Sequence, residues 1–475
     1  MRTGTYIFTV IATAAATAAT MWLWQNIQAR QCEGMSVAVR VVELTEDTVD
    51  PAAWGQNFPR QYDSYRRPVD TERTNFGGNE AFQKLDENPR LKTLFAGYPF
   101  SLDYREERGH AFMLVDQDET ERVHQIQQPG GCLHCHSSVL PAYRELGRKA
   151  GVADAPGLNM PQIMRGFVAA CAMPLRELRP MVTHPVACLD CHDPQTLSLR
   201  VTRPAFLNGI GAIAQSTVPT PHLPSIERWR KGNRQQPYDP NREASRQELR
   251  SFVCGQCHAE YYFHPDGMLL TYPWANGWQA EQILDYYDER QFRDWVHKDS
   301  GAAVLKAQHP EFELWSQGTH ARSGVSCTDC HMPYGREGAV KLSDHQARSP
   351  LLAAARACQT CHRQSESELR TRVDELQQRT RELMNRAEDA VVALIRDIAA
   401  VPSTPDNERA LANARRLHRR AQFLLDYIAA DNSMGFHAPQ ESARVLGTAI
   451  DLARLGQLEL RPSPRAATEQ PPPAP

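Results

Sequence analysis

The 475-residue chain lacks an excess of charge of either sign: 53 Lys and Arg stand against 56 Asp and Glu, a formal net charge of −3. Near-balance removes the electrostatic case for nucleic-acid binding. Cysteine outside one recurring pattern is scarce. Of twelve, only Cys32 and Cys171 stand apart, as free thiols or as a disulfide, and spacing does not choose between the two. Prolines and short segments crowd the middle of the chain, so little strand is expected there.

What is present instead is one short pattern, five times over. CLHCH occupies residues 132–136, CLDCH 188–192, CGQCH 254–258, CTDCH 327–331 and CQTCH 358–362. Two cysteines three apart can form thioethers to both vinyl groups of one haem, and the adjoining histidine can ligate its iron, so the pattern marks c-type haem attachment. At this chain's own Cys and His frequencies, chance would supply roughly 0.01 such pattern. Zinc ribbons and thioredoxin-like sites also pair cysteines but need no histidine beside each pair. Five haems c are expected, with thioethers on Cys132 and Cys135, Cys188 and Cys191, Cys254 and Cys257, Cys327 and Cys330, and Cys358 and Cys361. The proximal ligands are then His136, His192, His258, His331 and His362.

Haem is attached to such motifs outside the bacterial cytoplasm, so a periplasmic or otherwise extracytoplasmic protein is expected. Residues 5–24 carry no charge and close on Trp22 and Trp24. That length spans a bilayer with tryptophans at the interface, while Thr17, Ala18 and Ala19 also fit a signal cleavage site. Residues 1–30 are read as signal anchor or signal peptide, 31–363 as the pentahaem body, 364–460 as a long-helix region and 461–475 as a disordered Pro-rich tail. In the third part Leu369, Val373, Leu376, Leu383, Val391, Leu394 and Ile398 recur at three- and four-residue steps. Pro402 and Pro405 break that helix. A second is expected over about residues 407–430 and a third over about 439–458, with Pro439 tolerated in its first turn. These helices carry no haem motif and fit either a packing shell or a dimer interface. The expected fold class is mainly α, a haem-packed body with little strand.

Iron that only carries electrons usually takes a second protein ligand, whereas an enzyme leaves one position open. Twelve histidines remain besides the five proximal ones, so counting decides nothing. In order along the chain stand FPRQYDSY, LFAGYPFSLDYREERGHAF, the five attachment sites, CGQCHAEYYF, KAQHPEFE, CTDCHMP and GFHAP. With these the sequence closely resembles the pentahaem cytochrome c nitrite reductases over roughly residues 54–458. The resemblance implies reduction of nitrite to ammonium, as in nitrate ammonification, at the haem of the first motif, with Arg122, Tyr261 and His309 lining its distal pocket. It implies His345, His110, His437 and His320 as sixth ligands of the second, third, fourth and fifth haems. His124, His134, His184, His222, His264, His297 and His418 receive no role. Many members carry lysine where this chain has His136, and some have histidine. A neutral imidazole is a weaker σ-donor than an amine and changes the iron's potential.

Taking nitrogen from +3 to −3 needs six electrons and eight protons, which accounts for four six-coordinate haems serving one open iron. Arg122 and His309 would hydrogen-bond the nitrite oxygens and help protonate leaving water, in a positive pocket that attracts the anion. The resemblance also implies a calcium ion beside the site, held by side-chain oxygens of Glu260 and Gln308 and by the carbonyls of Tyr261 and Lys306, a hard-cation donor set. It implies a homodimer and, as electron donor, a membrane quinol-oxidising tetrahaem cytochrome. Two other readings stay open: an electron-transfer cytochrome in which His124 or His134 closes the His136 haem, and a related reductase of hydroxylamine or sulfite.

Overall fold

The computed structural model describes residues 2–36, 40–67, 72–77, 82–105 and 107–461; the expected tail from residue 462 onward lies outside the described residues. Helix α1 (Arg2–Ser36) extends the apolar run in both directions. Its window Thr3–Cys32 has mean hydropathy 1.5 and none of it is buried, so it is long and apolar enough to cross a membrane. Cys32 lies exposed on this helix and Cys171 is buried in the helix Met160–Ala172; both thiols are free, which removes the disulfide alternative.

The segment after α1 folds into α2 (Pro51–Asn57) and α3 (Pro59–Tyr65), each with proline in the first turn, and Asp50 Oδ1 caps α2 by accepting from Ala52 N at 2.8 Å. Helix α4 (Arg246–Gly255) starts on a capping box in which Ser245 Oγ accepts from Glu248 N and Glu248 Oε2 accepts from Ser245 N. It ends inside the third haem motif. There Gly255 is required: a Cβ would sit 2.5 Å from Phe312 Cδ2. Phe312 packs in an aromatic core with Phe206, Phe252 and Trp274, at ring separations of 5.7, 6.1 and 5.6 Å.

Strand is confined, among the described residues, to three antiparallel hairpins: β1 (Tyr262–His264) with β2 (Leu269–Thr271), β3 (Trp295–Val296) with β4 (Ala303–Val304), and β5 (Tyr334–Glu337) with β6 (Val340–Ser343). The mainly helical expectation holds. Three long helices close the chain: α5 (Glu366–Ala400), α6 (Glu408–Ala430) and α7 (Pro439–Glu459). Val391, Leu394 and Ile398 of α5 are buried together with Leu411, Leu424 and Ile428 of α6 and Val445, Leu446 and Ala449 of α7. Between α6 and α7 the chain turns at Gly435, with φ +78°, where a Cβ would meet Thr380 Oγ1 at 2.5 Å. The helices also form a shell on the body. Glu388 of α5 accepts from Asn88 and Arg90, and Asp426 of α6 accepts from Lys306 Nζ and Ala307 N.

Candidate functional site

One continuous cavity of about 1770 Å³ is lined by both cysteines and the histidine of all five motifs. The third motif stands at its junction. Cys257 lies beside Cys135 of the first motif, and Cys254 beside Cys327 of the fourth. A buried polar network behind these motifs ties the first three together. Arg203, fully buried, donates from Nη1 to Asp190 Oδ1 of the second motif at 3.0 Å and from Nη2 to Ser137 O, just after the first, at 2.7 Å. Gln256 of the third motif accepts from Thr202 N at 2.9 Å and donates to Asp190 O at 3.1 Å. Nothing in the sequence reading pointed to Arg203.

Two imidazoles on one metal, each nitrogen about 2 Å from it and about 1.1 Å from its own ring centre, stand with centres roughly 6.2 Å apart. Four pairs in the cavity match this separation. His192 faces His345 at 6.4 Å, His258 faces His110 at 6.3 Å, His331 faces His437 at 6.3 Å and His362 faces His320 at 6.3 Å. Burial pushes His110, His331 and His345 down to about 4, which keeps them in the neutral form that binds metal. Among the described residues no imidazole faces His136 at such a distance. His124 and His134 do not line the cavity; His134 is buried beside Tyr143, whose hydroxyl lies 2.8 Å from its Nδ1.

Around the first motif the structure gathers Arg122, Tyr261 and His309 on the cavity wall. The Arg122 guanidinium lies over the Phe100 ring at 4.2 Å, and its buried Nε has no partner. Among the described residues no carboxylate forms an ion pair with it. Burial raises the Tyr261 phenol well above its ordinary range, which keeps it a hydrogen-bond donor. His309 Nδ1 points toward Glu311 Oε1 at 3.6 Å, and its ring centre is also 6.3 Å from that of His258. Two residues without a role in the sequence reading join this group. Tyr98 lines the cavity with Gln308, and Glu107 Oε1 lies 3.1 Å from His136 Nδ1.

The residues read as cation ligands converge behind the pocket. Glu260 is fully buried; its Oε2 accepts from Gln308 N at 2.5 Å and its Oε1 from Tyr287 Oη at 2.9 Å. Burial pushes its carboxyl well above the usual range, the state of a carboxylate short of positive charge. Gln308 Nε2 donates to Lys306 O at 3.3 Å, so half a turn of the amide would set Oε1 beside that carbonyl. A carboxylate, an amide oxygen and a carbonyl are the donors calcium takes. This corner is held by Phe312 N donating to His258 O at 3.1 Å and Glu260 N donating to Glu313 Oε1 at 2.8 Å, which pin the KAQHPEFE segment onto CGQCHAEYYF.

The family profile of cytochrome c552 matches residues 50–473. A cytochrome c-552 of Parabacteroides distasonis is 35% identical over 433 residues, which cover 87% of this chain and 79% of the relative. One from Porphyromonas gingivalis is 34% identical over 412 residues, 85% of this chain and 74% of that protein. Among solved structures, a cytochrome c nitrite reductase from Desulfovibrio desulfuricans, described with two calcium sites in its catalytic subunit, superposes with a TM-score of 0.72 at 28% identity, covering 89% of this chain and 87% of that one.

Proposed function

Because this chain belongs to the cytochrome c552 family, we propose that it is a nitrite reductase that carries out the six-electron reduction to ammonium at the haem of its first motif. The observation that carries the reading is the pairing of histidines: four motif imidazoles face a partner at 6.3–6.4 Å and His136 faces none. Each c-type haem, when bound, supplies a one-electron centre, and the one without a second imidazole supplies an iron that an anion can reach. The cavity fits this, since every motif cysteine and histidine lines it.

The chain's own residues do the rest. The unpaired Arg122 guanidinium draws nitrite in and donates hydrogen bonds to its oxygens. With Nδ1 turned to Glu311, His309 keeps Nε2 for the substrate, where it holds and passes a proton to departing water. The Tyr261 hydroxyl is the third donor. In balance, one nitrite, eight protons and six electrons give ammonium and two waters. The test is a titration of holoprotein, whose mass should exceed that of the chain by five haems. Nitrite or cyanide should shift the spectrum of one haem in five, with six electrons consumed per nitrite. No shift with either ligand would return the protein to pure electron transfer. Turnover of hydroxylamine and sulfite measured alongside identifies the preferred substrate.

Glu260, Gln308 and the carbonyls of Tyr261 and Lys306 would hold calcium, which ties the Tyr261 and His309 segments to one point. Exhaustive chelation or Glu260→Ala is expected to lower turnover by roughly tenfold to a hundredfold with haem content unchanged, because small displacements of positioned donors are costly. Full activity after chelation would remove the ion from the proposal. The same reading places the protein outside the cytoplasm, with α1 as anchor or cleaved signal, residues 31–363 as catalytic body, and a membrane quinol-oxidising tetrahaem cytochrome as donor. A homodimer through α5 to α7 completes it. Leu455 and Leu458, 49% and 51% exposed on α7, support it; sedimentation as a monomer at micromolar concentration would dismiss it.

A further inference from the structure

We propose that Glu107 is a positioning residue for the first haem, its carboxylate taking up the Nδ1–H of His136 so that the iron receives an imidazole of anionic character. The proposal rests on the reading of His136 as that haem's ligand. The two side chains are 18% and 24% exposed, and Nδ1 and Oε1 are 3.1 Å apart. The N–H is not aligned on the oxygen, and the buried Nδ1 finds no other partner among the described residues. A modest rotation of the carboxylate therefore completes a hydrogen bond that nothing else there would supply. With Nδ1–H so engaged, Nε2 is left as the metal-binding nitrogen.

Comparison with the other motifs gives the contact its meaning. His192 Nδ1 meets Leu197 O at 2.9 Å and His331 Nδ1 meets Arg348 O at 3.2 Å, both neutral backbone carbonyls. The carboxylate nearest His258 Nδ1, on Glu311, is 3.9 Å away, beyond hydrogen-bond length. Among the described residues, the one motif histidine with a carboxylate at hydrogen-bonding distance is the one that faces no second imidazole. An anionic acceptor on the outer nitrogen makes a histidine a stronger donor to its metal. The segment is economical in placement: Glu107 lies three residues before His110, the partner of His258.

The test is resonance Raman spectroscopy and redox titration of ferrous holoenzyme, wild type against Glu107→Gln and Glu107→Asp. The wild-type iron–imidazole stretch is expected at the high-frequency end found for carboxylate-bound imidazole. Glu107→Gln should lower it and raise the potential of the first-motif haem alone, leaving the other four unmoved, and Glu107→Asp should recover part of both shifts. A band unchanged in Glu107→Gln overturns the proposal, as does a wild-type band in the neutral-imidazole range, which decides the matter even if the variant fails to take up five haems. Absence of any iron–imidazole band in the wild type would instead show that His136 is not the ligand, and the functional reading would fall first. If Glu107 serves only to offset Arg122, Glu107→Gln would change KM for nitrite with the band in place, and this too overturns it.

Discussion

His309→Asn is expected to cut nitrite turnover by about 10²- to 10⁴-fold, roughly 3 to 5 kcal/mol, the usual loss for one positioned donor or proton carrier. Five haems and the low-spin spectrum should be unchanged. The reason lies in how firmly the imidazole is mounted. Ala307 N donates to Asp426 Oδ2 at 2.8 Å, Gln308 N donates to Glu260 Oε2 at 2.5 Å, and Pro310 restricts the backbone that follows. Asparagine keeps a donor but has no nitrogen that titrates. A fall of less than threefold, under ~0.7 kcal/mol, would leave the pocket to Arg122 and Tyr261. A low-spin haem turned high-spin would be a different refutation: His309 also stands 6.3 Å from His258, so it would then be the axial partner there in place of His110.

On stability, Arg203→Met is expected to cost about 3 to 5 kcal/mol, because it leaves the Asp190 carboxylate buried without its cation. Both side chains are shut off from solvent, at 0% and 1% exposure. The measurement is the denaturant midpoint of the holoprotein. A loss below about 1 kcal/mol would show that the site relaxes or that Asp190 takes a proton. Arg203→Met combined with Asp190→Asn should recover part of the loss, since no uncompensated charge then remains, although Ala187 N still needs its acceptor. The effect reaches function because the same guanidinium joins the segments carrying the first two haem motifs.

Legibility in the sequence followed distance along the chain. The haem motifs were plain because every atom that attaches a haem lies within five residues. The long helices were plain because their apolar positions repeat locally, and α5 begins where Ser365 and Glu368 cap each other. The partners of the motif histidines were not: twelve candidates stood on equal terms until the family resemblance allotted four of them. The structure brings those four to 6.3–6.4 Å from the same motif histidines that the resemblance had named. Glu107, Tyr98 and Arg203 carried no signal, because an isolated Glu, Tyr or Arg acquires its role only from the groups packed against it.

By itself, then, the sequence determined covalent and periodic properties: five haem attachments, a mainly helical fold, an apolar N-terminal helix and three long closing helices. Each depends on residues near one another in the chain. Tertiary structure brings together the imidazoles that the resemblance had paired, leaves His136 without a facing imidazole among the described residues, and joins Glu260 to the backbone of Gln308 across 48 positions; that a carboxylate stands against the outer nitrogen of His136 was decided by tertiary structure alone. The physical reason is that coordination and hydrogen bonding act over about 2 to 3 Å in space, whereas the groups they join are separated by tens to hundreds of residues of chain.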